Sequence, residues 1–164
     1  MQKRLAFIFA GCLLGTTLAY ASGSVHLTYS GHEGPEQWGT LAPEFAAYAN
    51  GKNHSPMNLT GFIKADLTAI QFEYSTNAIE ILNNGHTVQA NFKSGSAISV
   101  DGKSFELKQV HFHTPSENQI NGNSCPMEGH LVHADKDGNL AAVAVLYVEG
   151  DANKGVTSLW SQIA

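Results

Sequence analysis

The chain has 164 residues, enough for one domain and short for two. Its 43% hydrophobic content supplies a packed core and excludes a chain that stays disordered. A formal net charge of −5 and the lack of any basic stripe exclude nucleic acid as the main partner, because nothing tracks a phosphate backbone.

The N-terminus reads as a targeting segment. Lys3 and Arg4 give a positive start, Leu5 to Leu18 is an apolar run, and Ala19-Tyr20-Ala21 offers a small-x-small cleavage site. The run is short for a membrane span, so the expectation is a signal peptide over residues 1–21, no membrane span after cleavage, and a periplasmic or secreted product. Lipoprotein processing at Cys12 is the competing reading, which Phe9 fits poorly. Cleavage after Ala21 leaves Cys125 alone, so no disulfide closes within the mature chain.

Residues 22–56 are turn-rich. Gly31 to Gly39 (GHEGPEQWG) reads as loop, with a short helical turn expected around Pro43 to Ala49. From Leu67 the pattern turns to strand. Ile70, Phe72 and Tyr74 alternate with polar residues, as do Ile79 and Ile81, then Val88, Ala90 and Phe92. Ile98 and Val100 lead to Asp101-Gly102, a hairpin signal, and Phe105 and Leu107 follow. Asp137-Gly138 marks another hairpin. Leu140 to Val148 is nearly all apolar and predicts a strand buried on both faces. Asn153 to Ile163 reads as the start of a helix. The fold class is mostly β, a β-dominated α+β domain around a large, mainly antiparallel sheet with a few short helices.

The chemistry concentrates between Gln109 and His133. In a strand, residues two apart share a face, so His111 and His113 present both imidazoles to one point. Turn formers at Asn121 to Ser124 reverse the chain, and Met127 to His133 returns as a second strand carrying His130. A lone H-x-H is usually ordinary polar surface; a third histidine makes the ligand set of a catalytic zinc site, with a fourth position open. Gln109 and Glu128, each two residues before a histidine, are placed to accept the other ring N–H. His133 has the opposite parity and is expected to be a satisfied core histidine. Glu117 reads equally as a fourth ligand, a buried orienting group or a solvated loop residue. His86, in NNGHT, is either an exposed turn histidine or, at the mouth of the site, a proton relay, a role to which histidine as a residue type is suited. The H-x-H-x-x-x-E spacing also fits part of a cupin pattern, which leaves NNGHT and GPEQW unexplained.

In order along the chain, YSGHEGPEQWG, GKNHSPMNL, ILNNGHTVQ, QVHFHTPSEN, MEGHLVH and DGNLAAVAVL resemble the segments of the alpha-class carbonic anhydrases. The resemblance covers residues 22–164. It implies zinc on His111, His113 and His130, with Gln109 and Glu128 behind them. It implies His86 as proton shuttle and Glu117 as the buried glutamate that orients a threonine. Tyr29, Asn84 and Gln89 then belong to the pocket or its proton network, and Val132 and Ala142 to the apolar wall where carbon dioxide sits. The implied activity is reversible hydration of carbon dioxide to bicarbonate, with hydroxide on the zinc as nucleophile. Family members continue past the position of Ala164, so the sheet is expected to be incomplete and the C-terminal part missing. A non-catalytic zinc-binding or interaction protein, or an inactive remnant, is therefore the alternative. Nothing in the sequence supports a homodimer. Gly129, where the family has a larger residue, is expected to loosen the strand beside the metal.

Overall fold

The computed structural model describes residues 27–29, 31–52, 55–83 and 85–162. The segment expected to be a signal peptide, Asn84, and Ile163, the expected end of the last helix, lie outside the described residues. The chain divides into two compact units, Met1–Lys52 and Asn53–Ala164.

The first unit winds around Trp38. Its indole N–H donates to the carbonyls of Thr28 (3.1 Å) and Glu33 (2.8 Å). Its ring meets Tyr29 and Tyr48 edge-on at 5.7 and 5.4 Å. The segment expected as loop is therefore partly helical: a 3-10 turn at Gly31–Glu33 and a short helix α1 at Trp38–Leu41. Successive bonds from Gly34, Gln37 and Thr40 to the carbonyl three residues back hold it, a pattern that composition alone does not reveal. The helical turn expected near Pro43 is present as a 3-10 turn, Pro43–Phe45, and α2, Ala46–Asn50. Gly39 is required where α1 meets α2, because a Cβ there would lie 2.5 Å from the backbone nitrogen of Ala49.

The second unit is a seven-stranded antiparallel sheet. Its strands are β2 (Gln71–Glu73), β3 (Ala78–Asn83), β4 (Val88–Phe92), β5 (Ala97–Val100), β6 (Lys103–His113), β9 (Met127–Ala134) and β10 (Leu140–Tyr147). The order is β10-β9-β6-β4-β3, with β5 beside the first part of β6 and β2 outside β5. A small second sheet holds β1 (Asn58–Leu59), β7 (Gln119–Ile120) and β8 (Asn123–Ser124), where β1 and β7 run parallel.

Turn chemistry sets the registers. Asp101 and Gly102 (φ 47° and 76°) and Asn121 and Gly122 (φ 50° and 81°) put two consecutive residues in the left-handed region, as tight hairpins with type I′ turns require. At the β9–β10 turn, Asp135 Oδ1 accepts from the backbone N–H of Asp137 and Asn139. The core lies on one face of β6, where Leu107, Val110 and Phe112 are buried under Phe92, Met127, Leu131, Tyr147, Val156 and Leu159. Helix α3 (Lys154–Trp160) closes it. Its Asn153 N-cap accepts from Gly155 and Val156, and Trp160 meets Phe112 edge-on at 5.1 Å.

One expectation is overturned. β10 is not buried on both faces: among the described residues it pairs only with β9, none of its residues is fully buried, and Leu140 is 73% exposed. A continuous apolar run shows that a strand needs cover without showing that cover is present.

Gly129 also behaves differently from the sequence reading. It is buried, and a Cβ there would sit 3.2 Å from the Phe112 ring and 3.3 Å from the Tyr147 ring. The two rings fill the room that a side chain would take, so the strand is packed at this point rather than loosened.

His133 is a core histidine, as its parity suggested, but only one of its ring nitrogens is satisfied: among the described residues, Nδ1 is buried without a hydrogen-bond partner. It is fully buried, with Nε2 2.8 Å from the Tyr74 hydroxyl and the two rings stacked. Burial pushes its pKa below the ordinary value, against the backbone carbonyls of Ala141 and Leu131. Below about pH 6.5 the unfolded chain takes up a proton there that the folded chain resists, so the metal-free protein loses stability as pH falls through that value and none above it. His133→Gln is expected to make the acid limb of a urea-denaturation stability profile shallower; an unchanged limb would mean that the imidazole is not held neutral.

Candidate metal centre

The three histidines converge because β6 is flanked by β9 in antiparallel register, with His111 directly opposite His130. His111 and His113 lie on the face opposite Val110 and Phe112, so the core packs one side of β6 and leaves the imidazoles on the other. The ring centroids are 4.8 Å apart for His111 and His113, 5.1 Å for His111 and His130, and 4.8 Å for His113 and His130. One nitrogen from each lies within 4.8 Å of the others, and among the described residues this is the group able to hold a metal ion.

The ring protons are directed away from the centre. Gln109 Oε1 sits 2.8 Å from His111 Nδ1, which therefore donates and leaves Nε2 as a lone pair. Glu128 Oε1 sits 3.2 Å from His130 Nε2, which leaves Nδ1. Glu117 Oε1 lies 3.4 Å from His113 Nδ1. The half-buried rings also resist charging. Burial, then the facing His113 and His130, pushes His111 down to about 4, and burial and His130 lower His113. Neutral imidazoles offering lone pairs to a shared point are the donor set of zinc with an open position, so the residues fit that ion.

Glu128 is fully buried and saturated. Oε2 accepts from the backbone N–H of Glu117 and Asn118, both at 2.9 Å, and Oε1 accepts from Asn118 Nδ2 at 2.5 Å as well as facing His130. Burial works to raise its pKa; the bonds from Asn118 and the neighbouring His130 outweigh it and hold the carboxyl below the ordinary value.

The remaining candidates are distributed as follows. Gln89 stands directly opposite His111 across β4 and β6, so the two share a face; its amide donates to Asn91 Oδ1 at 2.8 Å. Val132 is two residues past His130 on β9, directly opposite Ala142 of β10, so both flank the histidines on the same face. His86 is exposed on the turn leading into β4. Of the three readings of Glu117, the solvated loop residue is excluded, since its side chain is 13% exposed and turned to His113. Tyr29 belongs to the first unit, against Trp38, and Asn84 lies outside the described residues.

Two residues of the site escaped the sequence reading. Thr87 accepts from Phe112 N at 3.0 Å and its hydroxyl donates to Phe112 O, clipping β6 between His111 and His113. Asn118 donates to Glu128. The position of Thr87 one residue before β4 was the only signal for the first; Asn118 had none beyond its place next to Glu117.

A family model described as eukaryotic-type carbonic anhydrase matches residues 33–163. A carbonic anhydrase of Neisseria gonorrhoeae is 40% identical over 98% of this chain and 64% of its own length. One from Pectobacterium atrosepticum is 43% identical over 88% of this chain and 59% of its own. Among solved structures, the alpha-carbonic anhydrase of Thermovibrio ammonificans, in complex with the inhibitor sulfanilamide, superposes with a TM-score of 0.76 at 40% identity, covering 85% of this chain and 62% of that one. The chain thus spans less than two thirds of the length of these relatives.

Proposed function

Since the chain belongs to the eukaryotic-type carbonic anhydrase family, we propose that it is a zinc lyase that interconverts carbon dioxide and bicarbonate. The observation that carries the proposal is the convergence of His111, His113 and His130 with the opposite ring nitrogens facing Gln109, Glu117 and Glu128.

A dipositive ion on three neutral imidazoles supplies strong acidification of a water, to a pKa of about 7 in the general case of this family. The chain's own residues do the rest. Gln109 and Glu128 fix which nitrogen of His111 and His130 faces the centre. Val132 and Ala142 give an apolar surface beside it, suited to a small uncharged substrate such as carbon dioxide. His86, exposed near the start of β4, passes the released proton to buffer.

No helix among the described residues is long and apolar enough to cross a membrane. The basic start and apolar run of residues 3–18 support export to the periplasm or medium.

The test is carbon dioxide hydration by the purified, zinc-loaded chain with His130→Ala as control; activity no higher than the control would refute the proposal. His86→Ala is expected to slow turnover in dilute buffer by about 10²-fold, the lower end for a positioned proton-transfer group, with zinc still bound. Added imidazole should restore the rate, and failure to do so would remove His86 from the proton path.

A further inference from the structure

We infer that Asn118 is a positioning residue for the metal centre, acting through Glu128 on His130. The inference rests on the reading of the three histidines as a zinc site.

Asn118 is buried, at 9% exposure, and both ends of its amide are engaged. Oδ1 accepts from the backbone N–H of Met57 at 2.9 Å, and Nδ2 donates to Glu128 Oε1 at 2.5 Å. These partners settle the orientation of the amide. A flip would set an NH2 against an N–H and an oxygen against a carboxylate, leaving two buried clashes of like polarity. Aspartate could answer Met57 but not Glu128, and leucine could answer neither.

The backbone around Asn118 is fixed as well. Its carbonyl accepts from Ser116 Oγ at 2.7 Å, and Ser116 is tied to Cys125 twice: its backbone N–H donates to Cys125 O, and its hydroxyl oxygen accepts from Cys125 N–H. Gln119, the next residue, donates to Met57 O and opens the β1–β7 pairing. The side chain of Asn118 therefore joins the small sheet to the metal strand.

The consequence falls on one oxygen. Glu128 Oε2 is held by two backbone N–H groups, which leave the carboxylate free to tilt about that end. The second oxygen is the one that faces His130 Nε2, and Asn118 Nδ2 is its other partner. With that donor in place the acceptor aimed at His130 is fixed, and so is the nitrogen the ring turns to the centre. Partners behind a metal ligand commonly set affinity by ten- to a hundredfold.

The experiment compares zinc dissociation constants, by chelator competition, for the wild-type chain, Asn118→Asp, Glu128→Gln and the double variant. The absorption spectrum of the cobalt(II)-substituted proteins is read alongside. Asn118→Asp is expected to weaken zinc by about tenfold and to alter the cobalt spectrum. In the Glu128→Gln background the same change is expected to add little, because the path it uses is already broken. Equal affinity in Asn118→Asp and wild type, or zinc penalties that add in the double variant, would overturn the inference, since penalties that add mean that Asn118 does not reach the metal through Glu128. If Asn118→Asp yields no folded protein, the same cycle is run with Asn118→Ser, with the same two outcomes. A wild-type chain that binds no zinc would instead overturn the underlying reading of the histidines, which keeps the two failures distinct.

Discussion

Replacing His130 with alanine is expected to leave the chain unable to hold one zinc per molecule. The three donors reach one point only because β9 sets His130 directly opposite His111. The remaining pair on β6, 4.8 Å apart by ring centroid, would chelate from a single strand with no ligand from the facing one. Structural zinc sites of zinc-finger peptides, with four protein ligands, bind with roughly 10–16 kcal/mol in total. On an even split one ligand is worth about 2.5–4 kcal/mol, which corresponds to a loss of about 10²–10³-fold in affinity. Equilibrium dialysis with metal analysis reads it directly. A variant that retained stoichiometric zinc would mean that His130 is not a ligand.

The second large effect is expected at Glu128. Glu128→Ala would orphan the backbone N–H groups of Glu117 and Asn118, the Asn118 amide and the His130 ring N–H at once, all around a fully buried position. Breaking a buried network of this kind costs about 3–5 kcal/mol, a large share of the 5–15 kcal/mol that holds an ordinary domain together. A urea midpoint lowered to match, with zinc affinity falling in parallel, is the expected result; a midpoint within error of wild type would contradict it. The carboxyl's lowered pKa has its own signature. The stability Glu128 contributes is complete above the ordinary carboxylate value of about 4.3 and is lost as pH falls below it.

Much of this centre was legible in the sequence because strand geometry has a period of two. That rule alone put His111 with His113, Gln109 behind one, Glu128 behind another, and turned His133 away. The hairpins were legible for a related reason: Asp101-Gly102 and Asn121-Gly122 are pairs that tolerate the left-handed backbone a tight turn demands. What stayed hidden depended on contacts between distant segments. Asn118 matters because Met57, 61 residues away, supplies the N–H that sets its amide. Thr87 matters because it meets Phe112. The filled space over Gly129 needs two rings from separate strands, and the exposure of β10 needs knowledge of what lies beside it.

The placement of β6 bears on how the centre would come apart. Its two histidines ride on a strand flanked by β4 and β9, while β9, which carries His130, is backed by β10, an edge strand among the described residues. Local opening begins where amides have few buried neighbours and reaches doubly flanked strands last. Amide protons of β10 should therefore exchange with solvent first, those of β9 next, and those around His111 only when the whole sheet opens. On that order His130 is the ligand surrendered earliest under mild stress, and a metal ion would leave by losing its grip on β9 while His111 and His113 still hold it together.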